Sequence, residues 1–196
     1  MNDTLMVIGE ALIDFIPTEQ GMALKDVCSF TKHCGGAPIN IAAATAKLGA
    51  HSKVLTQVGA DAFGDFILET LSLCQVDITA VKRTKQYPTA LAFVALDEKG
   101  NRDFTFYRDP CADLHLSAED ITATMFQDCG ILHFCSVDLV DSPMKQAHLK
   151  AIQLAKEQGA IISFDPNVRL PLWSSKEDCK NTILEFAPYA DILKIS

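Results

Sequence analysis

Basic residues are in short supply along this chain. Its 196 residues hold 17 Lys and Arg against 25 Asp and Glu, a formal net charge of −8, and no stretch gathers the cations into a block. That excludes a surface built to neutralise nucleic-acid phosphates, the interaction that dominates such binding. Long apolar runs are missing as well, and nothing approaches the roughly 20 residues of a membrane-spanning helix. Neither nucleic acid nor membrane is expected as a partner. The N-terminal "LMVIG" lacks the charged flank and cleavage site of a signal peptide. The Asn2-Asp3-Thr4 sequon is then coincidental, and a cytoplasmic location is expected. The cysteines, seven in all at 28, 34, 74, 111, 129, 135 and 179, contain no Cys-x-x-Cys pair. The histidines at 33, 51, 115, 133 and 148 show no ligand spacing. An odd, unpaired set of this kind argues against a disulfide framework and against a zinc site, so no metal ligands are expected.

Three catalytic signatures are also lacking. There is no G-x-G-x-x-G dinucleotide fingerprint and no G-x-S-x-G nucleophile elbow. "GADAFGD" places Gly59 and Gly64 at P-loop spacing, but Asp65 stands where that motif needs Lys, and a carboxylate there repels phosphate.

What is present is a chain 48% hydrophobic and 21% charged, enough to bury the core of one globular domain. Strand and helix alternate along it. A strand near Thr4–Gly9 opens the series, and "CGGAPINIAAATAKLG" predicts a helix over Pro38–Leu48, with Pro in the first turn and Gly49 past the end. "KVLTQVG" reads as a strand. Phe63, Ile67, Leu71 and Cys74 recur at helical spacing. "TALAFVALD" and "RDFTFYR", joined by "EKGN", read as a hairpin lying off the main sheet. "GILHF" is a strand, and a helix follows with Ser142 as its cap, Pro143 first, and Met144, Ala147, Ala151 and Leu154 on its buried face. "AIISFD" is a strand buried on both faces. A helix over Lys176–Phe186 precedes the strand "ADILKIS". The pattern predicts an α/β fold with a mostly parallel central sheet flanked by helices and a small β excursion. Ligands in such sheets sit beyond the carboxyl ends of the strands, and Asp14, Gly35-Gly36, Asp61, Asp165–Arg169 and Ser196 all follow strands. Carboxylates, amides and bare glycine backbone at that rim suit a polyhydroxylated ligand, and nearby arginines suit a phosphoryl or carboxylate group.

The run "GGAPINIA", six residues, Gly49, nine residues and Gly59 resembles the first signature of the ribokinase-like (PfkB) family of carbohydrate kinases. "GEALIDFIPT", "GADAFGDF", "TALAFVAL" with "FTFYR", "AHLKAIQLAKEQGAIISFDPNVRLPLW" and "ADILKIS" are similar to bacterial fructokinases, in the same order. The resemblance implies a ribokinase-like domain over 1–196 with a β-sheet lid at approximately 12–34 and 86–110. It implies ATP-dependent phosphorylation of a sugar hydroxyl, most like fructokinase, with Mg2+. Asp14, Gly35, Gly36 and Asn40 would hold the sugar, with Phe106 and Arg108 from the lid and Arg169 beside it. Asn167 would lie between sugar and nucleotide. Lys194 and Ser196 would lead, on the nucleotide side, to a metal-organising acid. A homodimer through the lid is implied too.

The family's second signature, a Gly-Ala-Gly-Asp turn that carries the catalytic base, is not found before Ser196. The expectation is therefore a fold whose C-terminal part is absent, with no catalytic base in this chain and little activity from it alone. Two other sugars, 2-keto-3-deoxygluconate and aminoimidazole riboside, remain as alternative substrates. A non-catalytic sugar-binding fragment is the alternative of another class, and a nucleotide-dependent oxidoreductase rests only on the α/β pattern.

Overall fold

The computed structural model describes residues 3–19, 21–96 and 102–195. In chain order the strands are β1 (Thr4–Ile8), β2 (Leu12–Pro17), β3 (Phe30–Gly35), β4 (Ser52–Gly59), β5 (Val81–Thr84), β6 (Ala90–Leu96), β7 (Arg102–Tyr107), β8 (Cys129–Cys135), β9 (Ile161–Asp165) and β10 (Ile192–Leu193). The α-helices are α1 (Ala37–Lys47), α2 (Ala62–Leu73), α3 (Pro143–Glu157) and α4 (Lys176–Phe186). Six strands form one sheet in the order β10-β9-β8-β1-β4-β5, every neighbouring pair parallel. The other four form a second, mixed sheet, β3-β2-β6-β7, with β2 parallel to β6 and the outer pairs antiparallel.

A central parallel strand has no wet face, and β1 shows the consequence. Met6 and Ile8 belong to one core cluster and Val7 to the other, all three fully buried. The period of two sends successive side chains to opposite layers. On one side α3 lays down Met144, Ala147, Ala151 and Ala155 against Phe134, Phe164 and Phe186. On the other, Ile39 and Ala42 of α1 and Ile67 and Leu71 of α2 cover Val54 and Val58. Alanines let α1 lie close to the sheet, which sets its first turn directly over the end of β1.

The predicted hairpin is seen as β6 and β7, antiparallel and outside the main sheet; its connecting residues, 97–101, lie outside the described set. Two of that sheet's strands, β2 and β3, were not read as a strand pair from sequence. "FTKHCG" shows no clean alternation, with Lys32 and His33 side by side, so pairing with β2 rather than local propensity makes it a strand. Ser142 does occupy the cap position of α3, but its hydroxyl donates to the Val140 carbonyl at 3.1 Å instead of capping the helix. Pro143, with no N–H to satisfy, begins that helix.

Phe134 is fully buried, stacks on Phe164 with centroids 4.6 Å apart and meets Phe186 edge-on at 6.0 Å. Phe134→Ala should cost about 3–5 kcal/mol in urea denaturation; a loss under about 1 kcal/mol would mean that this aromatic stack does not anchor the core.

Candidate functional site

The alternation along β2 turns Leu12, Asp14 and Ile16 to one face, where they line a cavity of about 270 Å³. Gly36, Ala37 and Asn40 enter it from the start of α1, Val94 and Phe106 from β6 and β7, and Glu10 and Val137 from the ends of β1 and β8. Asn167, Arg169 and Leu172 complete it from the segment after β9. The cavity thus lies between the two sheets, at the carboxyl ends of parallel strands, where open α/β sheets place ligands. Asp14 sits within β2, paired across to His33 and Ala92, rather than in the turn expected after β1.

Two glycines make this geometry possible, for different reasons. A β-carbon built on Gly35 would overlap the Asp14 carboxylate and a Leu12 methyl, so the carboxylate rests on bare main chain. Gly36 has φ +116°, and a β-carbon there would overlap the Glu10 carbonyl oxygen. Any other residue would strain the backbone and push α1 away from β1.

Glu10 is the site residue that the sequence reading passed over. It is 3% exposed, and the Ala37 N–H donates to its Oε1 at 2.7 Å. The carboxyl therefore supplies the α1 N-terminus with the acceptor that glycine at the cap position cannot. Its Oε2 is buried with no partner among the described residues. Burial pushes Glu10 up to about 8, reinforced by Asp138 and opposed by Arg108 and the Ala37 N–H. One signal was available: an acid inside "MVIGEALI", flanked on both sides by residues that bury.

Arg108 has to be corrected. It does not line the cavity; it is 6% exposed, bonded to Asp113 at 2.8 Å and to Asp138. Burial alone would lower the guanidinium, but Asp113 and Asp138 outweigh it and hold the charge. Asp138 in turn is pushed up to about 7, mainly by burial and then by Asp113, against the pull of Arg108. Arginine at a strand end reads as exposed only until its acids, 5 and 30 residues onward, are known.

Asn167 has φ +37°, and its N–H donates to Asp165 Oδ1 at 3.0 Å. That turn places Asn167 in the lining of both the main cavity and a smaller neighbouring one of about 200 Å³. Lys194 lines the smaller cavity and pairs with Asp165 at 2.8 Å; Ser196 lies outside the described residues. Asp61 caps α2 through the N–H groups of Phe63 and Gly64 and also binds Thr89, so it organises its loop. Among the described residues no group of three or more His, Cys, Asp or Glu is placed to hold a metal ion.

The model for the pfkB family carbohydrate kinases matches residues 2–196. The chain belongs to that family. Probable fructokinase-2 of Arabidopsis thaliana is 40% identical over 188 residues, 96% of this chain and 57% of the relative. Fructokinase-2 of Solanum lycopersicum is 40% identical over 192 residues, 98% of this chain and 58% of the relative. The crystal structure of fructokinase with bound ATP from Xylella fastidiosa superposes with a TM-score of 0.88 at 36% identity, covering 98% of this chain and 57% of that one. This member of the pfkB family therefore has the ribokinase-like fold of its structural neighbours, and it spans less than three-fifths of the length of these relatives.

Arg108→Ala leaves two carboxyls buried without their cation, and should destabilise the chain by about 3–5 kcal/mol in chemical denaturation. A change within about 0.5 kcal/mol, as for a surface residue, would mean that these buried ion pairs do not hold the fold.

Proposed function

We propose that the protein of which this chain is part or whole phosphorylates a sugar hydroxyl with ATP, and that fructose is the sugar. The observation that carries the proposal is the Asp14 carboxylate resting on the Gly35 main chain, at one cavity with Asn40, Asn167 and Arg169. The chain in which this occurs is 40% identical to proteins named fructokinases. Carboxylate and amide groups give the paired acceptors and donors that vicinal hydroxyls need, and Leu12, Ile16, Val94, Phe106, Val137 and Leu172 give the apolar wall for the C–H face. Burial of Arg108 weakens the case for an acidic sugar, since Arg169 is then the cationic residue of the lining among the described residues.

In this reading Asp14, Gly35, Gly36, Asn40, Phe106 and Arg169 hold and orient the sugar. Asn167 lies between sugar and ATP, with Lys194 and Ser196 on the nucleotide side. The second sheet acts as a lid, its segments at about 12–34 and 86–110 closing over the sugar and keeping water from competing as acceptor. Mg2+ enters as the counter-ion of ATP. The apolar outer face of that sheet, with Phe30, Leu91, Phe93 and a 63% exposed Tyr107 beside Leu24 of the β2–β3 connection, suits pairing of two lids in a homodimer. The described cysteines are all free thiols, and no helix among the described residues is long and apolar enough to cross a membrane. Both observations suit a cytoplasmic enzyme.

Asp14→Ala removes a charged hydrogen-bonding group, and should weaken fructose binding by roughly ten- to a hundredfold by calorimetry, with the melting temperature unchanged. Gly35→Ala should weaken binding too, by displacing the same carboxylate. Undiminished affinity in Asp14→Ala, or no fructose-dependent ADP production by the complete gene product, would overturn the proposal.

A further inference from the structure

Glu10 combines three properties that a stabilising acid does not need: it lines the cavity, it is nearly inaccessible, and one of its oxygens has no partner among the described residues. Its Oε1 accepts from the Ala37 N–H, which favours the charged form, as Arg108 does, but burial and Asp138 outweigh both. The other groups that face it come from several elements, and Asp138 has an unpartnered Oδ2 of its own among the described residues. Asp138 and the Cys135 thiol come from β8 and the turn after it, and burial holds that thiol well above its usual range. Arg108 comes from the end of β7 and its charge favours an ionised Glu10, but its ion pairs are with Asp113 and Asp138. Asp14 from β2 and Arg169 from the loop after β9 stand elsewhere along the lining. Three buried acids thus share one cation, and a set with that imbalance retains a proton rather than bury uncompensated charge. With Oε1 serving as the acceptor, Oε2 is where the proton belongs.

We propose that Glu10 is a substrate-positioning, specificity-determining residue whose protonated Oε2 donates a hydrogen bond to a hydroxyl of the bound sugar at the buried end of the cavity. This rests on reading the cavity as the sugar pocket. A buried donor rejects a ligand that offers no oxygen there, because the donor is then left unsatisfied. The sign of the pH effect follows from the upward shift of Glu10 to about 8. Below that value the group is the donor that the proposal requires; above it that donor is lost, and the affinity it contributes is lost with it as pH rises.

The test is titration calorimetry with D-fructose, D-ribose and 2-keto-3-deoxygluconate across neutral and alkaline pH. Wild-type affinity for the sugar that binds should weaken roughly tenfold between pH 7 and pH 9. Glu10→Gln keeps an N–H donor that cannot ionise; it should weaken binding about threefold and flatten the profile, whereas Glu10→Ala should weaken it about tenfold with the same flat profile. A wild-type affinity independent of pH, or a Glu10→Gln profile that still falls, would overturn the inference while leaving the sugar pocket standing. Failure of all three sugars to bind the wild type would remove the pocket reading and the inference together. A second measurement needs no variant. In wild-type protein labelled with ¹³C-glutamate, which separates Glu10 from Asp138, fructose should shift the infrared carbonyl band of a neutral glutamic acid at pH 7. An absent or unmoved band would equally sink the inference.

Discussion

The structure turns on a side chain that is not there. With no β-carbon on Gly35, the carboxylate of Asp14 can lie flat against the main chain of β3, and the second sheet then meets the start of α1 closely enough to share a cavity with it. Gly36, at φ +116°, completes the bend that brings α1 over the end of β1. These two positions carry the coupling between the sheets. Around them the chain is ordinary α/β architecture, in which parallel strands bury both faces under helices.

Charge is distributed by depth. Asn40, at the mouth, is exposed, whereas Glu10, Arg108, Asp113 and Asp138 are buried behind it. Arg108 ends β7, and Asp113 and Asp138 lie on segments that support the main sheet, so this ion-pair group pins the returning arm of the second sheet at its root. A pinned root with a separate outer sheet is the arrangement that a closing lid needs. Such a buried group costs desolvation and is poor evidence of stability in itself; here it fixes where one strand leaves the body of the molecule.

Much of the fold was legible because its elements are long and strongly periodic. The Lys176–Phe186 helix appears with the predicted bounds, and the apolar run of β9 reads as a strand at once. β3 was not legible, since its residues carry no alternation and only the partner strand makes it one. Of the nominated site residues, Asp14, Gly36, Asn40, Phe106, Asn167 and Arg169 line a single cavity, and Gly35 lies directly beneath Asp14. The glycine-rich turn and the strand ends gave that much away. The ion pairs of Arg108 and the burial of Glu10 were not legible, for one shared reason. Whether a charged residue after a strand faces water or its own counter-charges depends on contacts between distant segments, and no local pattern records them.

Where a sugar hydroxyl lies when bound decides the matter most directly. A crystal structure of the chain with fructose should show the ring against the Gly36 main chain, with hydroxyls bonded to Asp14 and Asn40 and the carboxylate still seated on Gly35. A sugar bound elsewhere, or Asp14 swung away from Gly35 in the complex, would contradict this.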